Sequence, residues 1–232
     1  MIRSFGLVAV SAAIILVAGQ PARAADDELV KAQAGTWLLA PEKGAKGCRL
    51  TFETGKAAGG YAISGADACA TALPALAKAA VWNFTDDGSL TISDTAQKLL
   101  VRFQQEEGSP WESEGSDPMW LLPALGDVDH VPTIASLAGV WHIQQPDGKA
   151  VCDVTLSSDV DKDGTAKMSL GGDCPANIAD LKLSLWATEG FGLVVLGPDG
   201  ASLSFDMQPD GSFKTSDEEE GDTMLLVRKQ GG

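Results

Sequence analysis

Histidine is nearly missing from this 232-residue chain: His130 and His142 are the only two. That leaves little room for His-ligated hydrolytic metals or His-based acid–base chemistry. Basic residues are scarce as well, Lys+Arg 17 against Asp+Glu 32, for a formal net charge of -15. Each phosphate contact needs a cationic side chain to displace a counterion, so nucleic acid is excluded as a partner. The single tyrosine, Tyr61, argues against a tyrosine-based stacking platform. No Cys-x-x-Cys pair offers zinc-ligand spacing. Neither a Gly-x-Ser-x-Gly elbow nor a phosphate-binding glycine loop is present. These absences argue against an enzyme, and no cofactor or protein-bound metal is expected.

Long apolar runs are also lacking. The longest, Phe5 to Ala18, stops well short of the roughly 20 residues a spanning helix needs. It follows a basic start, Met1-Ile2-Arg3, and precedes Ala22-Arg23-Ala24, which puts small residues at the -3 and -1 positions of a signal-peptidase site. Residues 1–24 therefore read as a cleaved secretory signal. No cysteine follows for lipid attachment, so no membrane anchor is expected to remain. Removal of Arg3 and Arg23 with the leader takes the net charge from -15 to -17.

What is present is a duplication. Ala34-Gly35-x-Trp37 recurs as Ala138-Gly139-x-Trp141, and Cys48, Trp82 and Leu121-Leu122 recur as Cys152, Trp186 and Leu225-Leu226, all displaced by 104. Cys69 and Cys174 differ by 105, which implies one inserted residue between the cysteines of the second copy. In this register Trp111 and Trp120 fall opposite Thr215 and Met224. The mature chain thus divides into a tail (25–32), a first domain (33–125), a linker (126–135) and a second domain (136–229). Spacing alone allows three pairings of four cysteines. If each copy folds by itself, Cys48 pairs with Cys69 and Cys152 with Cys174. Each bridge then closes a loop of about 20 residues, a stabilisation of about 3 kcal/mol in the chain-entropy model.

Within each copy the hydrophobic period is two: Cys48-Arg49-Leu50-Thr51-Phe52 and Cys152-Asp153-Val154-Thr155-Leu156 alternate cleanly. Turn signals such as Asp86-Asp87-Gly88 and Pro209-Asp210-Gly211 separate seven or eight short strands. The pattern predicts an all-β pair of small antiparallel barrels or sandwiches. One helical interruption is expected between Ala66 and Ala80.

The ordered set Ala34-Gly35-Thr36-Trp37, Cys48-Arg49-Leu50-Thr51 and Ala66-Asp67-Ala68-Cys69 resembles the bacterial inhibitors of serralysin-type metalloproteases, the alkaline proteinase inhibitor (Inh) family. A tryptophan before an Asp-Gly turn and a closing Leu-Leu strand complete the pattern, and most of it repeats in the second copy. The resemblance implies tandem eight-stranded antiparallel β-barrels with one internal disulfide each, in the periplasm of a Gram-negative bacterium. It also implies a serralysin-like zinc metalloprotease as partner, met by a free N-terminal segment entering the cleft. Here that segment contains Ala25, Asp26, Asp27, Glu28 and Leu29. Its opening differs from the small hydroxyl and apolar residues typical of the family. The linker ahead of the second copy cannot present a free terminus, so at most one copy can inhibit in this way.

Trp111, after Gly108-Ser109-Pro110, is a further candidate for partner contact, with core packing as the alternative. Asp159-x-Asp161-x-Asp163-Gly164 opens like a calcium loop but has Leu170 where the bidentate Glu belongs, so a hairpin turn is expected. The acidic run 217–222 reads as a solvated loop. Against the inhibitor stands a second expectation, a non-inhibitory scaffold for an envelope protein or a small apolar ligand. That reading predicts a cavity, whereas an inhibitor predicts a filled core.

Overall fold

The computed structural model describes residues 23–107, 109–216 and 223–229. The apolar core of the leader and the acidic run 217–222 lie outside the described residues. The chain falls into two units, one ending at Gln33 and one beginning at Ala34. The first contributes helix α1, Arg23–Gln33.

The second unit is two closed antiparallel barrels in tandem, each of eight strands in meander order. The first comprises β1 Gly35–Pro41, β2 Cys48–Ala57, β3 Gly60–Ser64, β4 Val81–Phe84, β5 Leu90–Ser93, β6 Leu99–Gln104, β7 Trp111–Ser113 and β8 Met119–Pro123. After a linker and a single helical turn, α2 Ile134–Leu137, the second repeats the plan. Its strands are β9 Gly139–Gln144, β10 Ala150–Val160, β11 Ala166–Leu170, β12 Leu185–Glu189, β13 Gly192–Leu196, β14 Ser202–Met207, β15 Phe213–Thr215 and β16 Leu225–Arg228. The first and last strands of each barrel pair, β1 with β8 and β9 with β16, which leaves no open edge.

Alternation fills both interiors. Leu39, Leu50, Phe52, Trp82, Leu90, Ile92, Phe103 and Leu121 are essentially without exposure in the first barrel, as are Trp141, Trp186, Leu193, Phe205 and Phe213 in the second. The expected bridges are in place: Cys48–Cys69 and Cys152–Cys174 each join the start of a barrel's second strand to the segment after its third. The Ala66–Ala80 interruption is two 3-10 turns, Ala66–Ala70 and Pro74–Lys78. Its counterpart in the second copy is one α-helical turn, α3 Ala176–Ala179.

The recurring Trp82 and Trp186 follow from a shared irregularity. The pairing of β2 with β3 slips after Phe52, and that of β10 with β11 slips after Leu156. A bulge of this kind leaves a strand carbonyl outside the ladder. The Trp82 indole N–H donates to the Glu53 carbonyl at 3.1 Å, and Trp186 does the same for Ser157, also at 3.1 Å. A second matched device closes each barrel. The buried Ser113 hydroxyl accepts the Met119 amide (2.8 Å), and Thr215 accepts that of Met224 (3.1 Å).

Strand pairing corrects the repeat register beyond the fourth strand. Leu121 lies opposite Leu39, and in the second barrel Leu226 lies opposite Ile143. The structural partner of Leu121 is therefore Leu226, one residue beyond a 104 offset. Similarly, Trp111 opposes Leu121 as Phe213 opposes Leu226. Trp111 thus matches Phe213 rather than Thr215, and Trp120 matches Leu225 rather than Met224. Hairpin lengths between these strands differ between copies, and a constant offset cannot follow them.

Candidate functional site

The pre-barrel segment is helical. Its sequence supplies the reason: Asp27 and Glu28 sit in the first half, where negative charge complements the helix dipole, and Lys31 sits in the last turn. Alanine, leucine and glutamine fill the positions between them with good helix formers. Of the residues expected to meet a protease, Ala25 to Leu29 all lie in this helix. Asp27, Glu28 and Lys31 are exposed, and Leu29 is 57% exposed, the most exposed large apolar side chain among the described residues. Val30 and Gln33 are buried. The acidic start followed by Lys31 was the available sign of a helix in a segment expected to be an open tail.

Trp111 begins β7, half-buried, with its ring 6.1 Å from that of Phe84. It belongs to a run of six aromatic rings in the first barrel. Trp37 meets Phe52, Phe52 stacks on Trp82 at 5.1 Å, Tyr61 tilts against Trp82, and Phe84 links Trp82 to Trp111. By strand register the second barrel has Leu156, Ala166 and Thr188 where the first has Phe52, Tyr61 and Phe84. There the aromatic contact reduces to Trp141 edge-on to Phe213. Trp120 is buried on the outer face of the first barrel.

The segment preceding the second barrel is bound down. Arg49 Nη2 donates to the carbonyls of Gly126 (2.8 Å) and Val128 (2.9 Å), and the Gly47 amide donates to that of Asp129 (2.7 Å). Lys46 Nζ donates to the Asp129 carboxylate at 2.7 Å, with His130 Nδ1 2.8 Å from its other oxygen. These contacts hold the Asp129 carboxyl down at about 2, the Lys46 hydrogen bond contributing most. Further on, Thr133 and Ser136 form a reciprocal capping box on α2. Arg228 lies over the Trp141 ring (4.7 Å) and donates to the carbonyls of Ser136 (2.6 Å) and Ala138 (3.2 Å). Trp141 itself donates to Leu137.

The calcium-like motif is a hairpin turn between β10 and β11. The Asp161 carboxylate accepts the Asp163 and Thr165 amides (2.9 and 3.0 Å) and the Thr165 hydroxyl (2.9 Å), which lowers its pKa. Among the described residues no cluster of His, Cys, Asp or Glu is arranged to hold a metal ion.

Two filled barrels with one bridge each, and a helical segment before the first, are therefore the geometry to be placed among known proteins. The family model for protease inhibitor Inh matches residues 28–121 and again residues 131–228. The chain belongs to the Inh family of protease inhibitors. Both matches cover a complete disulfide-bridged pair of cysteines and nearly all of a barrel, so this Inh protein carries the family's domain twice. No curated protein matches the chain.

Proposed function

We propose that the protein is exported to the periplasm and there inhibits a zinc metalloprotease of the serralysin type, without catalysing a reaction itself. The observation that carries this reading is membership of the Inh family over both barrels. In support, the barrel interiors are occupied by Trp82, Phe52, Phe103 and their neighbours rather than left open for a small apolar ligand.

The residues proposed to enter the cleft are Ala25 to Leu29. Cleavage after Ala24 would put a new α-amino group at the head of α1, followed by Asp26, Asp27 and Glu28. An unprotonated amine or a carboxylate is an acceptable zinc ligand, so this end has the donor chemistry to approach the enzyme's metal. Leu29 supplies the apolar side chain for an adjoining pocket. Trp111, with Pro110 beside it, is the proposed contact from the barrel.

The test is inhibition of a serralysin-like enzyme by the mature chain and by a chain that starts at Ala32. Inhibition by the first and not the second supports the reading. Equal inhibition removes the N-terminal segment from the mechanism, and inertness of both at micromolar concentration defeats the inhibitor proposal.

A further inference from the structure

The outer face of β1 and β8 is unusual for a solvent-facing surface. Leu38 lies opposite Leu122, and Ala40 opposite Trp120, on the side away from the barrel interior. All four are buried, together with Val131 of the linker, and Phe191 of the second barrel packs against them. The equivalent face of the second barrel pairs His142 with Val227 and Gln144 with Leu225. It carries the polar group His142–Asp153–Lys229, with Nδ1 to Oδ1 at 2.5 Å and Nζ to Oδ2 at 3.0 Å. On the first strand of each barrel the change is from apolar to polar: Leu38 and Ala40, which the second barrel covers, are replaced by His142 and Gln144, while the last strand stays apolar in both.

The seam is tight at the backbone. A Cβ on Gly190 would lie 2.9 Å from a Leu122 methyl and 3.0 Å from Pro110 Cγ. One on Gly126 would lie 2.9 Å from Pro209 Cβ. Both glycines also adopt positive φ, +56° and +46°, which other residues rarely take. Two turns of the second barrel therefore meet the end of β8 and the start of the linker with no room for a side chain.

We infer that the second barrel is a fixed, non-inhibitory support: it covers the outer β1/β8 face of the first barrel, and the two move as one body with a single inhibitory end. Arg228 contributes by clamping α2, the segment that precedes β9. Its counterpart opposite Trp37 is Pro123, which has no donor to clamp anything. The count of one inhibitory end rests on the inhibitor reading above; the fixed pairing of the barrels does not.

The test uses the mature chain in solution. Backbone 15N relaxation should give both barrels one common rotational correlation time; distinct, shorter times for the two barrels would overturn the inference. Phe191→Asp should uncouple them and raise amide exchange at Gly47 and Val128 by about tenfold or more, because both amides lie in the seam's linker network. Unchanged exchange would count against the seam. Should that variant fail to fold, Arg49→Gln releases the linker carbonyls without touching either core, and the same increase is expected. Titration of a susceptible protease should end at one enzyme per chain, and an end point of two would overturn the single-ended assignment. Absence of any inhibition would defeat the inhibitor reading while leaving the relaxation result to decide the pairing.

Discussion

A carbonyl that a bulge takes out of the ladder needs a donor, and the buried rings of Trp82 and Trp186 supply it. Trp82→Phe or Trp186→Phe keeps most of the apolar bulk but leaves that carbonyl unpaired. Each should cost about 0.5–1.5 kcal/mol in urea unfolding, the range for loss of one net hydrogen bond, here to a part-buried carbonyl. Gly190→Ala tests a different residue-scale constraint, positive φ combined with a 2.9 Å approach to a Leu122 methyl. It should destabilise the chain by about 1 kcal/mol or more, read from the same experiment. Leu29→Asp disturbs little packing, since Leu29 is 57% exposed. On the proposed mechanism it weakens protease inhibition while leaving the melting temperature unchanged.

The linker behaves as an element in its own right, held along the first barrel by Arg49, Gly47 and Lys46. The Asp129 carboxyl is lowered from 3.8 to about 2 in the fold. Because the folded pKa lies below the unfolded one, its stabilising contribution is complete above about pH 4 and is lost as pH falls through about 2. Lys46→Met should move the Asp129 midpoint up toward 3.8, followed by carboxyl NMR. At this scale much was legible beforehand. Period-two alternation and Asp-Gly turns located most strands, and the matched cysteines gave both bridges. Helix α1 is the exception: residues 25–32 are expected as a free N-terminal segment, and the acidic opening that distinguishes them also suits the start of a helix. The register of the later strands departs from a constant 104 offset because hairpins of different length break it. The seam was invisible for a separate reason: Leu38, Ala40 and Leu122 read as ordinary strand residues until strand pairing shows that they point away from the interior.

For the whole molecule, the two bridges divide stability between the halves. Replacing Cys152 and Cys174 by serine should remove about 3 kcal/mol, chiefly from the second barrel. Loss of that barrel uncovers Leu38, Trp120 and Leu122, so the variant should self-associate at denaturant concentrations where the first barrel is still folded. Light scattering recorded alongside tryptophan fluorescence would show it, since the first barrel holds four of the six tryptophans. Closure of the barrels has another consequence. Peptidases commonly take hold of substrates as extended strands hydrogen-bonded along an edge, and a closed meander offers none. Every described strand already has two neighbours, so among the described residues a peptidase is left with the turns, the linker and α1. A protein built this way can lie against a peptide-cutting site for a long time and be released undigested.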